Sequence, residues 1–397
     1  MDFSFTDEQL LLRDTAARFI AREYGFDTRR AILGGAGGER GAREAGLWRT
    51  LAELGLLALR VPEEDGGVGG GAVDTLLVMS AFGKGLFAEP YLASAVLATE
   101  AIVRLGSPAQ RRRWLRPMAA GTLIAAFAHD ERGTRGDALA LSTRATRVGA
   151  GYLLEGRKTA VEHGARADLL LVSACTDGGG AALFALGRET PGLRLAAYPT
   201  VDGGGAADVF LEQVYLPASA RLGEGEGESE GESEGESEGE GRGEGDAAEA
   251  LLAVLDTGLA AVCGEAVGVL ERSLEATVEY TRTRTQFGAP IATFQVLQHR
   301  IADMRIHLEQ ARSMAYLAAA RAGAGTAAER ARAMSAAKVV VGEACCFVGE
   351  QAVQLHGGMG MTEELDIAHC FRCLFAIEKR FGSTQDHLAR FARLLAA

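Results

Sequence analysis

Two stretches of this 397-residue chain carry residue types suited to a phosphate-bearing ligand. The first is Arg284-Thr285-Gln286-Phe287-Gly288-Ala289-Pro290-Ile291, followed closely by Phe294-Gln295. Arginine at a helix junction can lay a forked pair of N–H donors on phosphate oxygens. Helix C-capping by Arg282 and Arg284 explains the same residues without a ligand. The second stretch is Gln354-Leu355-His356-Gly357-Gly358-Met359-Gly360. Its glycines let a ligand approach the backbone closely, although a Schellman-type helix end needs glycine too. Both stretches fall at turns between expected helices, so they could converge on one end of a bundle.

Other reactive side chains fit simpler roles. Cys370 and Cys373 form a CxxC, and Cys345 and Cys346 are adjacent. Both pairs sit in helical pattern beside apolar neighbours and read as buried core thiols rather than zinc ligands. His356 and His369 belong to no metal-ligand motif, and the chain contains no P-loop pattern.

The elements that must position these stretches change texture along the chain. Residues 1–120 read as helices. Thr6 is a good N-cap with Gln9 completing a capping box, and Phe5 and Leu10 suit a hydrophobic staple. Gly34–Gly41 reads as a loop, and further helices are expected at Glu44–Gly55, near Asp74 and near Ser94. Over 121–218 the apolar runs are short and β-rich, as in Leu169–Ser173 and Val209–Leu216. Residues 219–246 form a linker whose Gly/Glu/Ser core, 223–245, reads as a disordered surface expansion. Over 247–397 the pattern is helical again, with Asp246 as a cap. Leu255, Leu259, Val262, Ala266 and Val269 form one apolar stripe. Long periodic segments at about 294–322, 327–355 and 362–395 complete an expected four-helix bundle.

Charge and composition exclude several function classes. The formal net charge is −12, but 223–246 holds ten Glu, one Asp and one Arg, leaving about −2 for the rest. An acidic chain without a basic stripe is a poor partner for nucleic acid. No apolar run approaches the length of a membrane span, and the N-terminus lacks a signal-peptide pattern. Six cysteines in a chain this long suit free thiols in a reducing cytoplasm.

The pair Arg-Thr-Gln-Phe-Gly…Phe-Gln and Gln-Leu-His-Gly-Gly-Met-Gly resembles the acyl-CoA dehydrogenase family. Ala52-Glu53-Leu54-Gly55-Leu56 with Val61-Pro62-Glu63-Glu64 resembles it too, over essentially the whole chain except the acidic insert. Leu374–His387 and Ala126–His129 look most like the small subunit of pimeloyl-CoA dehydrogenase and related heteromeric enzymes. The resemblance implies an α+β fold: an N-terminal α-helical domain, a middle β-barrel and a C-terminal four-helix bundle. It implies FAD, an acyl-CoA substrate dehydrogenated between Cα and Cβ, a dimer or tetramer, and an electron-transferring flavoprotein as acceptor. In the family these two turns reach across a dimer interface to the adenosine diphosphate part of a neighbour's FAD. The motif match carries that role to Arg284, Gln286, Phe287, Ile291, Phe294, Gln295, Gln354, Leu355, Gly357 and Gly358.

The match breaks at the chemistry. The family's catalytic Glu falls on Phe381, and its alternative position on Gly258. Asp256 and Glu265 stand nearby as poor substitutes, neither aligned with position 258 on the helix, which leaves no catalytic residue assigned. The family's Trp-x-Thr that covers the isoalloxazine falls on Ala160-Val161-Glu162, and its flavin motif only loosely on Asp130–Asp137. This asymmetry implies the small or non-catalytic subunit of a heteromer, with a partner supplying the Glu. A self-sufficient homo-oligomer with a relocated base and a non-catalytic scaffold are the alternatives.

Overall fold

A computed structural model describes residues 5–35, 38–134, 137–223 and 244–396. The acidic insert expected to be disordered lies almost wholly outside these described residues.

The N-terminal region is helical: α1 (Asp7–Glu23), α2 (Phe26–Gly34), α3 (Gly38–Glu53), α4 (Ala72–Gly85), α5 (Thr99–Leu105) and α6 (Pro108–Ala119). A π-helical run, Tyr91–Ala98, leads into α5, and every residue in it is buried. The Thr6–Gln9 capping box forms as expected. Phe5 meets Tyr316 edge-on at 5.8 Å, so the start of the chain is tied to the C-terminal helices. The expected loop at Gly34–Gly41 is shorter, because α2 runs to Gly34 and α3 starts at Gly38.

The middle region is one seven-stranded sheet: β1 (Ala125–Ala128), β2 (Arg144–Val148), β3 (Gly151–Glu162), β4 (Leu169–Thr176), β5 (Ala181–Gly187), β6 (Leu193–Pro199) and β7 (Gly205–Pro217). The order is β1-β4-β2-β3-β7-β6 with β5 on the far side of β4, a half-barrel. Alternate residues such as Leu170, Val172, Phe184, Val209 and Val214 fill a separate core. Irregular pairing between Lys158 and Val161 accompanies a φ of 52° at Ala160 near the end of β3.

The C-terminal region holds α7 (Glu244–Thr283), a hairpin of β8 (Thr285–Gln286) and β9 (Ala289–Pro290), α8 (Gln295–Ala322), α9 (Ala327–His356), α10 (Asp366–Lys379) and α11 (Thr384–Ala396). Helix α7 begins two residues before Asp246, so Asp246 is not the cap. Part of α7, Ala247–Thr283, is by length and composition apolar enough to cross a membrane, but 78% of its most apolar window is buried. It is a core helix packed on α4, α8, α9 and α10. Its approach to α4 is set by glycine: a Cβ on Gly268 would stand 1.9 Å from the Ser80 carbonyl oxygen.

The fourth bundle segment is two helices rather than one. The chain breaks at 380–383, where Phe381 has φ 57° and Gly382 has φ 98°. Hydrophobic periodicity runs through this break and cannot register it. Buried Lys338 stabilises the break by donating to the carbonyls of Ile377, Glu378 and Gly382 at 3.0, 2.7 and 2.9 Å. Carbonyls orphaned at the end of α10 thereby find a donor. Of the helical cysteines, Cys345, Cys370 and Cys373 are buried as expected, whereas Cys346 is exposed.

Candidate functional site

Two separate regions emerge. One is a cavity of about 530 Å³ where the N-terminal helices, the sheet and the bundle meet. Phe82, Phe87, Leu92, Leu97 and Phe127 give it apolar walls. Its polar end is built on Arg380, at the break between α10 and α11. The guanidinium stands 2.8 Å from Glu162 at the end of β3, 2.5 Å from Asp202 in the β6–β7 loop and 3.0 Å from Glu265 on α7. One cation thus faces three carboxylates from three elements. Burial pushes the Glu265 carboxyl up to about 7, against the pull of Arg380 and with the push of Glu162 and Asp202.

The two positions that could hold the family's carboxylate lie against each other. A Cβ on Gly258 would stand 2.7 Å from Cζ of Phe381 and 2.5 Å from Cδ2 of Leu97. Both alignments therefore lead to one point in space, and the Phe381 ring fills it. Phe381 is held there by its carbonyl, which accepts a hydrogen bond from His387 Nε2 at 2.8 Å. Burial lowers the His387 pKa to about 4, so this imidazole is neutral at pH 7. Gly258→Ala overpacks this contact and lowers stability by about 1–3 kcal/mol. Phe381→Ala in the same chain relieves part of the loss, which a double-mutant cycle by urea denaturation measures.

Asp256 points elsewhere. It faces Arg330 Nε at 3.5 Å and lines, with His387 and Arg390, a second cavity of about 360 Å³ that shares Ala160, Lys379 and Phe381 with the first. Glu265 requires a correction. Seven residues is close to two helical turns, about 20° from perfect alignment, so it shares a face with position 258. It lies about 10.5 Å further along the axis.

The second region is the end of the bundle where α7 and α9 finish. Tyr280 stacks on His356 with ring centroids 4.3 Å apart, bringing the two motif stretches together as expected. The β8–β9 hairpin projects from it. Phe287, with φ 56°, is 93% exposed, and Phe294 meets it edge-on at 6.0 Å. Arg284, Gln286, Gln295 and Gln354 are exposed, while Ile291 is half-buried. Among the described residues Arg284 has no carboxylate partner. Gly357 and Gly358 are exposed, and a Cβ on either would meet nothing within 4 Å. Gly357 is required by its own backbone at φ 59°, as the cap of α9, whereas space alone does not demand Gly358. Leu355 departs from its expected role: it is buried in the bundle core, so its side chain offers no wall to an outside ligand. Neither stretch contributes to the wall of either cavity.

Comparison with known proteins agrees with this architecture. Residues 6–122 match the acyl-CoA dehydrogenase N-terminal domain, and residues 248–395 match the acyl-CoA dehydrogenase C-terminal domain. The chain belongs to the acyl-CoA dehydrogenase family. Acyl-CoA dehydrogenase FadE27 of Mycobacterium tuberculosis is 33% identical, over 88% of each chain. Probable acyl-CoA dehydrogenase YngJ of Bacillus subtilis is 27% identical, over 100% of each. The ChsE4–ChsE5 complex of Mycobacterium tuberculosis superposes with a TM-score of 0.85 at 29% identity, covering 100% of this chain and 99% of the other.

Acyl-CoA dehydrogenases are FAD-dependent oxidoreductases that act on CH–CH bonds of acyl-CoA. The two regions of this family member fit FAD unequally. At the bundle end, a guanidinium with no carboxylate partner among the described residues, glycines with open space and exposed aromatic rings suit an adenine-diphosphate group. At the inner cleft, the position of the covering Trp is Ala160 and that of the Thr donor is Glu162. Glu131, in the loose flavin motif, is turned inward. Its carboxylate takes Lys158 at 2.5 Å and the Ser142 and Thr143 amides at 2.6 and 3.1 Å. Residues 135–136 of that motif lie outside the described residues. Sequence reasoning overlooked Arg380 and undervalued Glu265. The step of seven from Gly258 was the available signal.

Proposed function

We propose that this chain is the non-catalytic, small-subunit-type member of a heteromeric FAD-dependent acyl-CoA dehydrogenase. The observation that carries the reading is the separation of the two regions. The adenylate-type surface faces outward, away from this chain's own cavities, while the point that should hold the base is filled by Phe381. Arg284 would hold the pyrophosphate of a partner's FAD, Gly357 and Gly358 would admit it closely, and Phe287 with Phe294 would wall the adenine. Bound there, FAD would supply the hydride acceptor for Cβ of the acyl group. The α-proton needs a carboxylate, and here the partner supplies it. A phenyl ring accepts no proton, and Gly258 has no side chain.

The ChsE4–ChsE5 match, solved as a complex of two chains, supports a heteromer. The motif pattern of the α10–α11 segment supports the pimeloyl-CoA dehydrogenase small-subunit type. An electron-transferring flavoprotein is the acceptor the family resemblance implies. Six unpaired thiols suit a reducing, cytoplasmic setting.

One observation favours a second reading, a self-sufficient homo-oligomer. Glu265 lines the larger cavity with its carboxyl near pH 7, in the range useful to a base. Its bond to Arg380 opposes that role. Co-expression with a family member that retains the Glu distinguishes the two. The heteromer reading expects a mixed assembly by native mass spectrometry. It expects Arg284→Ala in this chain to weaken FAD retention there by about tenfold, the worth of one charge-assisted contact. Exclusive self-assembly of this chain would count against it.

A further inference from the structure

Helix α6 carries the run Arg111-Arg112-Arg113 and, one turn on, Arg116. Arg111 has its counter-ions, Asp65 at 2.8 Å and Glu64 at 3.0 Å. Arg112, Arg113 and Arg116 are exposed, and none has a carboxylate partner among the described residues. On a helix of 3.6 residues per turn they fall within an arc of about 100°, so three cations share one face. None of them lines either cavity. They are set in a chain of net charge −12.

Most of that negative charge leaves the fold beside them. Gln110, the residue before the run, fixes the chain at the exit. Its Nε2 donates to the carbonyls of Ser219 and Arg221 at 2.9 and 2.8 Å, and its Oε1 accepts from the Gly223 N–H at 3.1 Å. Residues 224–243 follow, outside the described residues, with Glu at every second position from 224 to 240 and one Arg at 242. Just beyond them, Glu249 on α7 stands 3.7 Å from Arg330 on α9. Arg116 is about 9 Å along α6 from Gln110. A Gly-rich stretch of this length has a reach of about 25 Å. Tethering therefore holds the glutamates near the arginines at roughly millimolar effective concentration. One exposed ion pair contributes little, so the contact needs both this tether and several pairs at once.

We infer that the Arg112–Arg113–Arg116 face of α6 is a docking surface whose partner is the glutamate-rich segment 224–243 of the same chain. The contact is electrostatic, is screened by salt, and covers the arginines against other polyanions. It holds whichever subunit role the chain has.

The test compares the full chain with the same chain in which every Glu of 224–240 is changed to Gln. The probe is a fluorescein-labelled peptide of residues 223–243, read by anisotropy in about 20 mM salt. The Gln-substituted chain should bind the peptide at least about tenfold tighter than the intact chain, whose own segment occupies the face. Binding should weaken as salt rises to about 0.3 M. Adding Arg112→Gln, Arg113→Gln and Arg116→Gln to the Gln-substituted chain should abolish it while leaving the urea midpoint unchanged. Equal affinity of the intact and Gln-substituted chains overturns the inference. So does a peptide left free by both at millimolar concentration, or binding that is indifferent to the arginines. Salt-sensitive association of intact chains through these arginines would assign the segment to a second copy and overturn docking within one chain. Arginine-dependent capture of the intact chain by phosphatidylglycerol vesicles would assign the face to a membrane and overturn it as well.

Discussion

Arg380→Met lowers unfolding free energy by about 3–5 kcal/mol at pH 8, because it strands buried carboxylates without their cation. Glu162, Asp202 and Glu265 all face that guanidinium, and no other cation is paired with any of the three among the described residues. The loss depends on pH in a direction that can be worked out. Burial raises Glu265 to about 7 from an ordinary 4.5, so the folded state holds this proton more tightly than the unfolded chain. Its contribution to stability is therefore best below pH 4.5, worsens as pH rises to about 7, and is flat above that. Removing Arg380 takes away the group that pulls this pKa down, which deepens the penalty at high pH. At pH 5 Glu265 is protonated and needs no counter-ion, so the deficit of the variant shrinks. Urea denaturation at the two pH values reads the difference. An equal deficit at both would show that Glu265 is not coupled to Arg380.

Glu131→Gln is expected to cost about as much, roughly 3–5 kcal/mol, by leaving a buried ammonium uncompensated. Lys158 is fully buried, and among the described residues its Nζ otherwise meets the His129 carbonyl at 3.2 Å and the Ser173 hydroxyl at 3.0 Å, with the Asp130 carboxylate acting on it from further off. Burial opposes the charge on Glu131, but Lys158, Ser142 and Thr143 outweigh it and hold the carboxyl at about 2. This is the reverse of Glu265. The folded pKa lies below the ordinary 4.5, so the stabilisation is complete above about pH 4.5 and disappears as pH falls towards 2. The Glu131→Gln defect is thus full at neutral pH and narrows in acid. Hydrogen exchange should localise it to residues 129–131 and the 142–143 segment, which the carboxylate ties together. A variant as stable as the parent at pH 7 would contradict the account of this pair.

The legible parts of the molecule were those written locally. The Thr6–Gln9 capping box, the apolar stripe of α7 and the two bundle turns depend on neighbours a few residues apart, which periodicity and capping chemistry register. The missing base was read by counting along the chain, and both counted positions, Phe381 and Gly258, lie against each other in the fold. The Arg380 cluster was not legible, since Arg380 and Asp202 are 178 residues apart and no local pattern joins them. The break between α10 and α11 was hidden because it depends on backbone angles at Phe381 and Gly382, while the apolar spacing continues unbroken. Leu355 was assigned by motif alone, and only packing reveals that its side chain faces inward.

The most direct test of the central claim is an anaerobic titration of the purified chain, reconstituted with FAD, with saturated acyl-CoAs from butanoyl to hexadecanoyl. The account predicts no bleaching of the flavin band by any of them until a partner bearing the family's carboxylate is added. Full bleaching of one flavin per chain by this polypeptide alone would contradict it.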